Sequence, residues 1–175
     1  MDLVLIAFCT LNALLTWAMI RRLRLLESSL AASKAEGDAL PQIGASPGAF
    51  AVRTRSGLAV TDGDLRVGET VLVLLSPECR PCQDLVSKLA SAWTATDLGV
   101  LAVVHGEVAQ DSTERLVAGL PEGMLVAVDE SGAVASALGA TAYPSVVLVR
   151  DGAVVAAAHQ FEPVYRKRLS VTAVS

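Results

Sequence analysis

Residues 71–82 read VLVLLSPECRPC. Val71 to Leu75 is an unbroken apolar run bounded by Gly68-Glu69 and Pro77, the pattern of a β-strand buried on both faces of a sheet. Two cysteines, Cys79 and Cys82, follow at once. From the second of them, Cys82, Leu85, Val86, Leu89 and Trp93 fall at i, i+3, i+4, i+7 and i+11, the spacing of an amphipathic helix. The pair is therefore expected where a central strand enters a helix.

The flanking sequence repeats the alternation of strand and helix. Val100 to Val104 and Met124 to Val128 are further buried-type strands, and Asp111-Ser-Thr-Glu114 reads as a capping-box helix start. Ala133 to Leu138 is a short helix. Val146 to Val149 and Ala153 to Ala157 are joined through Arg150-Asp151-Gly152, where Asp-Gly signals a tight hairpin. Ala49 to Thr54 and Gly57 to Thr61 form a short hairpin upstream, and Phe161 to Leu169 adds a last helix. Strands alternating with helices and closing in a hairpin predict an α/β domain with a mixed central sheet.

Three uses of the pair compete. Zinc takes four Cys or His ligands, whereas this chain offers one CxxC with His105 and His159 each isolated, so a complete zinc site is not expected; two thiolates could still hold Cu(I). Both histidines read as surface or structurally satisfied residues. In the redox reading, a thiol at a helix N-terminus faces unpaired N–H groups and the positive end of the dipole, which favours the thiolate; such sites titrate at about 3.5 to 7.5. Cys79 then attacks a disulfide and Cys82, one turn on, resolves the mixed intermediate. Arg80 adds a positive charge beside the nucleophile, Glu78 works the other way, and Pro81 suits an early helical position. The third use is coincidence, two small apolar residues, against which the position after a buried strand counts.

SPECRPC after VLVLL, followed some sixty residues later by ALGATAYPSVVLVRDGAVV, resembles the thioredoxin fold, and specifically the membrane-anchored TlpA/ResA-type and MauD-like thiol-disulfide oxidoreductases. The resemblance spans about Pro47 to Leu169. It implies that Pro144 is cis and lies against the CxxC, with Tyr143 before it, the two shaping the groove for substrate main chain. It implies a redox-active Cys79–Cys82 disulfide with no other cofactor, a disulfide-bearing client, and a membrane-embedded or thioredoxin-like electron donor. Two positions depart from the pattern: Glu78 stands where thioredoxins carry Trp, and Val73 where they carry a buried acid. A Cu(I) metallochaperone using the same thiols and a non-catalytic membrane accessory subunit are the alternatives.

The remainder of the chain sets the expected location. Leu3 to Ile20 contains no charged residue and matches the length of a bilayer-spanning helix, about 17 to 25 residues. It lacks the basic lead and small-x-small cleavage site of a signal peptide, so an uncleaved single-pass anchor is expected, with Cys9 a membrane residue. Ser28 to Gly48 is rich in Ser, Ala, Gly and Pro and suits a tether. The layout is thus an anchor over 1–22, a stalk and flexible linker over 23–46 and a thioredoxin-like domain over 47–175. Arg21, Arg22 and Arg24 follow the helix and by the positive-inside rule favour a cytoplasmic domain. Disulfide substrates persist mainly outside the cytoplasm, where the resemblance to anchored relatives also puts the domain, and a very short N-terminal tail can be translocated, so an extracytoplasmic domain is expected against the basic flank. The net charge of −4, from 14 basic and 18 acidic residues, argues against a nucleic-acid partner.

Overall fold

The computed structural model describes residues 39–92 and 99–164. Its centre is a five-stranded sheet. In chain order the elements are β1 (Ala51–Arg53), β2 (Ala59–Thr61), a 3-10 helix (Asp62–Arg66), β3 (Glu69–Leu75) and α1 (Arg80–Ala92). There follow β4 (Gly99–His105), α2 (Asp111–Ala118), β5 (Leu125–Asp129), α3 (Ala133–Leu138), β6 (Ser145–Arg150) and β7 (Ala153–Ala158). The sheet runs β5-β4-β3-β6-β7, with β1-β2 a separate two-stranded hairpin. β3 pairs parallel to β4 and β4 parallel to β5, whereas β6 is antiparallel to both β3 and β7. The expected mixed α/β sheet is present.

The unbroken apolar run of β3 has a simple cause. Val71, Val73 and Leu75 point to one face and pack with Leu85, Val86 and Leu89 of α1 and Leu116 and Val117 of α2. Leu72 and Leu74 point to the other, against Phe50, Leu65 and Val134 and Leu138 of α3. Both faces are covered, so period-2 alternation of polarity has no place in this strand. The β6–β7 turn is the expected one: Asp151 and Gly152 both take positive φ, 48° and 78°, and Asp151 Oδ1 accepts from Gly68 N–H at 3.1 Å.

Three sequence expectations need adjustment. Residues 39–46, placed at the end of the flexible linker, are tied to the domain by backbone pairing. Thr141 N–H donates to the Ala39 carbonyl (3.0 Å), Gly44 N–H to Val154 O (2.7 Å) and Val154 N–H to Ala45 O (2.9 Å). Composition failed to show this because main-chain hydrogen bonds and one buried residue, Pro41, hold the segment. The α2 start is not a capping box: the N-cap is Gln110, without a side-chain cap, and Asp111 lies inside the first turn. Glu114 instead pairs with Arg55 at 2.8 Å. Of the last helix, residues 161–164 are helical and the rest lies outside the described residues. The proposed membrane helix and Trp93 also lie outside them; among the described residues no helix is long and apolar enough to cross a membrane.

Candidate active site

The chain leaves β3 through Ser76, Pro77 and Glu78 and turns into α1 at Cys79. Cys79 N–H donates to Ser76 O at 3.2 Å, which closes the turn. Pro81 occupies the first turn of α1, where N–H groups have no partner in the helix and a missing donor costs nothing. Cys79 and Cys82 are joined as a disulfide with Cα atoms 5.2 Å apart. The two sulfurs are not equivalent. Cys82 is wholly buried, 0% exposed, among Val71, Val73, Leu75 and Leu85, while Cys79 is only partly buried at the rim. Attack from outside can reach Cys79 alone.

Opposed dipoles meet Cys79 Sγ. The N–H of Cys82 points at it from 3.2 Å, a donor that favours the thiolate once the bond is reduced. The Tyr143 carbonyl oxygen stands 3.2 Å away and accepts from the S–H of a thiol. Glu78 and Arg80 are solvent-exposed, so water screens the opposite charges that the sequence places beside Cys79. The Tyr143–Pro144 bond is cis, and Pro144 is buried. Among the described residues no three His, Cys, Asp or Glu side chains cluster as metal ligands.

Both histidines come to this end of the sheet. The ring of His105, at the end of β4, stacks on Tyr143 with centroids 5.9 Å apart and planes 6° from parallel. Its Nδ1 lies 3.0 Å from the Asp129 carbonyl, an acceptor only, so Nδ1 carries the proton. His159, just beyond β7, places Nδ1 2.8 Å from the Pro144 carbonyl. Asp129 is buried, and burial pushes its carboxyl up. Hydrogen bonds from Val134 N–H, the Ser131 hydroxyl and the Ala133 and Gly132 amides outweigh burial and hold it below the ordinary carboxylate value. Burial and the nearby Asp129 charge raise the Tyr143 phenol. The sequence read His105 and His159 as structural and did not single out Asp129. The usable signal was positional: each ends a strand whose C-terminal end lies on the edge that holds Cys79.

No family model and no curated protein matches the chain. Solved structures do match. The thioredoxin domain of a thiol-disulfide oxidoreductase from Bacteroides vulgatus aligns with a TM-score of 0.60 at 13% identity, covering 74% of this chain and 97% of that one. A provisionally assigned thioredoxin from Neisseria meningitidis gives 0.57 at 25% identity over 77% of this chain and 93% of its own. A secreted Mycobacterium tuberculosis disulfide oxidoreductase, described as homologous to Escherichia coli DsbE, gives 0.54 at 17% over 70% and 95%. The fold is thioredoxin-like. In this thioredoxin-like domain the CxxC joins β3 to α1, and Tyr143-Pro144 leads into β6 against Cys79.

Proposed function

We propose that the protein is a bacterial-type, membrane-tethered thiol-disulfide oxidoreductase. The observation that carries this is the asymmetry of the pair: a rim sulfur at a helix N-terminus bonded to a fully buried one. In the reducing direction the Cys79 thiolate attacks one sulfur of a client disulfide, forms a mixed disulfide and releases the client's first thiolate. Cys82 loses its proton and attacks Cys79 Sγ, which releases the second client thiolate and closes the Cys79–Cys82 bond. Two electrons pass from dithiol to client, and a donor dithiol restores the reduced pair. Structural neighbours described as a thiol-disulfide oxidoreductase and a disulfide oxidoreductase support the same chemistry.

Residues 3–20 are the proposed single-pass anchor; the proposed extracytoplasmic side for the domain rests on where disulfide clients persist and on resemblance to the MauD-like proteins in the SPxCxxC form, against the basic flank of the anchor. The client is a protein with an accessible disulfide. The test is reduction of a model disulfide protein such as insulin by the reduced chain. Cys79→Ser should abolish turnover, and Cys82→Ser should accumulate a mixed disulfide through Cys79. Undiminished reduction by Cys79→Ser would sink the reading, and tight stoichiometric Cu(I) binding without exchange would replace it with metal transfer.

A further inference from the structure

The Tyr143 carbonyl touches the reactive sulfur, so whatever fixes that carbonyl sets the balance between thiol and thiolate at Cys79. Hydrogen bonding to the neutral form of an acid disfavours its ionised form. A carbonyl oxygen 3.2 Å from Cys79 Sγ accepts from an S–H and repels a thiolate. A free loop would turn the carbonyl away on ionisation; a fixed one cannot. The loop here is held from several sides. The His105 ring covers the Tyr143 ring, and the Ser145 hydroxyl donates to Ala142 O at 2.7 Å. The β6–β7 ladder ends at Val146–Ala158, and one residue on the His159 ring meets the carbonyl of Pro144 at 2.8 Å. Proline fixes its own φ, and Ser145, the next residue, is already registered against Leu74 of β3, which restrains ψ of Pro144. Anchoring the Pro144 carbonyl therefore helps to orient the Tyr143 carbonyl.

We propose that His159 is a positioning residue for the redox centre: its Nδ1–H donates to the Pro144 carbonyl and thereby holds the Tyr143 carbonyl against Cys79, favouring the thiol. This rests on the oxidoreductase reading above. His159 touches no reacting atom and acts through the loop. Because a carbonyl only accepts, the bond requires the proton on Nδ1 in the neutral ring. Releasing the loop lets the carbonyl swing from the sulfur and stabilises the thiolate, and so favours the reduced pair at a pH where Cys79 is ionised.

The experiment uses the full chain in detergent, equilibrated against a glutathione series, with the peptide bearing Cys79 and Cys82 read by alkylation and mass. Alkylation of Cys79 is then followed as a function of pH. With the glutathione series run at a pH above the half-maximum of Cys79 alkylation, His159→Leu should shift the equilibrium about threefold to tenfold toward the reduced pair, up to about 30 mV for two electrons, and Cys79 alkylation should reach half its maximum at lower pH. His159→Asn, whose amide nitrogen sits as many bonds from the backbone as Nδ1, should restore both. Equal shifts in the two variants, or none in His159→Leu, overturn the proposal. A wild-type chain with no two-electron transition overturns the oxidoreductase reading and the proposal with it. Should His159→Leu not fold, nitrogen NMR of the neutral His159 ring in the wild-type chain decides: a proton on Nε2 overturns the proposal, a proton on Nδ1 supports it.

Discussion

Asp129 shows how one buried side chain organises the ground beneath the redox centre. It is 4% exposed, yet its oxygens accept from Val134 N–H at 2.8 Å and Ser131 Oγ at 2.8 Å, so the charge is solvated by the start of α3 instead of water. Its main-chain carbonyl accepts from His105, which stacks on Tyr143. The carboxyl is held below its ordinary value of 3.8 in the folded chain, so the unfolded chain binds the proton more readily. The stabilisation is complete above that ordinary value and is lost as pH falls through the lower folded one. Asp129→Asn should cost about 1–3 kcal/mol at pH 7 by weakening this buried network. The deficit should shrink in acid, as pH falls through the lowered folded-state value and the wild-type carboxyl is itself protonated. Urea midpoints across pH check this; a deficit independent of pH would contradict it.

At the scale of elements, the turn from β4 toward α2 is packed against the loop that delivers Cys79. A Cβ added at Gly106 would stand 2.8 Å from Thr113 Oγ1 and 3.3 Å from Pro77 Cγ. Thr113 is fully buried in α2, and its hydroxyl has no hydrogen-bond partner among the described residues. Gly106→Ala should therefore destabilise by about 1–3 kcal/mol through overpacking. Thr113→Ala in the same chain should return part of that loss, with a coupling of about 0.5–2 kcal/mol in a double-mutant cycle of denaturant midpoints. Additive effects would mean that the two positions relax independently. The glycine is needed here for close approach, since its φ is not positive.

Across the whole molecule, strand direction brings the chemistry together. β3, β4 and β5 are parallel, and β7 is parallel to β3 through the intervening antiparallel β6. Cys79, His105, Asp129 and His159 each follow or close one of these strands, so they share one sheet edge, where Pro144 leads into β6. The 39–46 segment acts on the same scale by pairing with the outer edge of β7 at Val154, which otherwise presents unpaired main-chain groups. A chain beginning at residue 47 should unfold about 1–3 kcal/mol more easily than one beginning at 38, several hydrogen bonds less the entropy of ordering eight residues. Equal urea midpoints would show that the segment adds nothing to stability.

The elements of the sheet were legible in the sequence because their cause is local. A strand covered on both faces is apolar throughout, an amphipathic helix repeats its apolar positions, and Asp151-Gly152 accepts positive φ at little cost. The redox pair was legible for the same reason, since strand, turn and CxxC are contiguous from Val71 to Cys82. Pro144 and Tyr143 entered through resemblance to a family, and the contact of the Tyr143 carbonyl with Cys79, 64 residues away in sequence, needed the fold. His105, Asp129 and His159 carry no local pattern at all. Their carbonyl and amide partners become neighbours only when parallel strands bring separate C-terminal ends to one edge, so tertiary structure alone decided that two isolated histidines meet the Tyr143-Pro144 segment whose carbonyl faces Cys79.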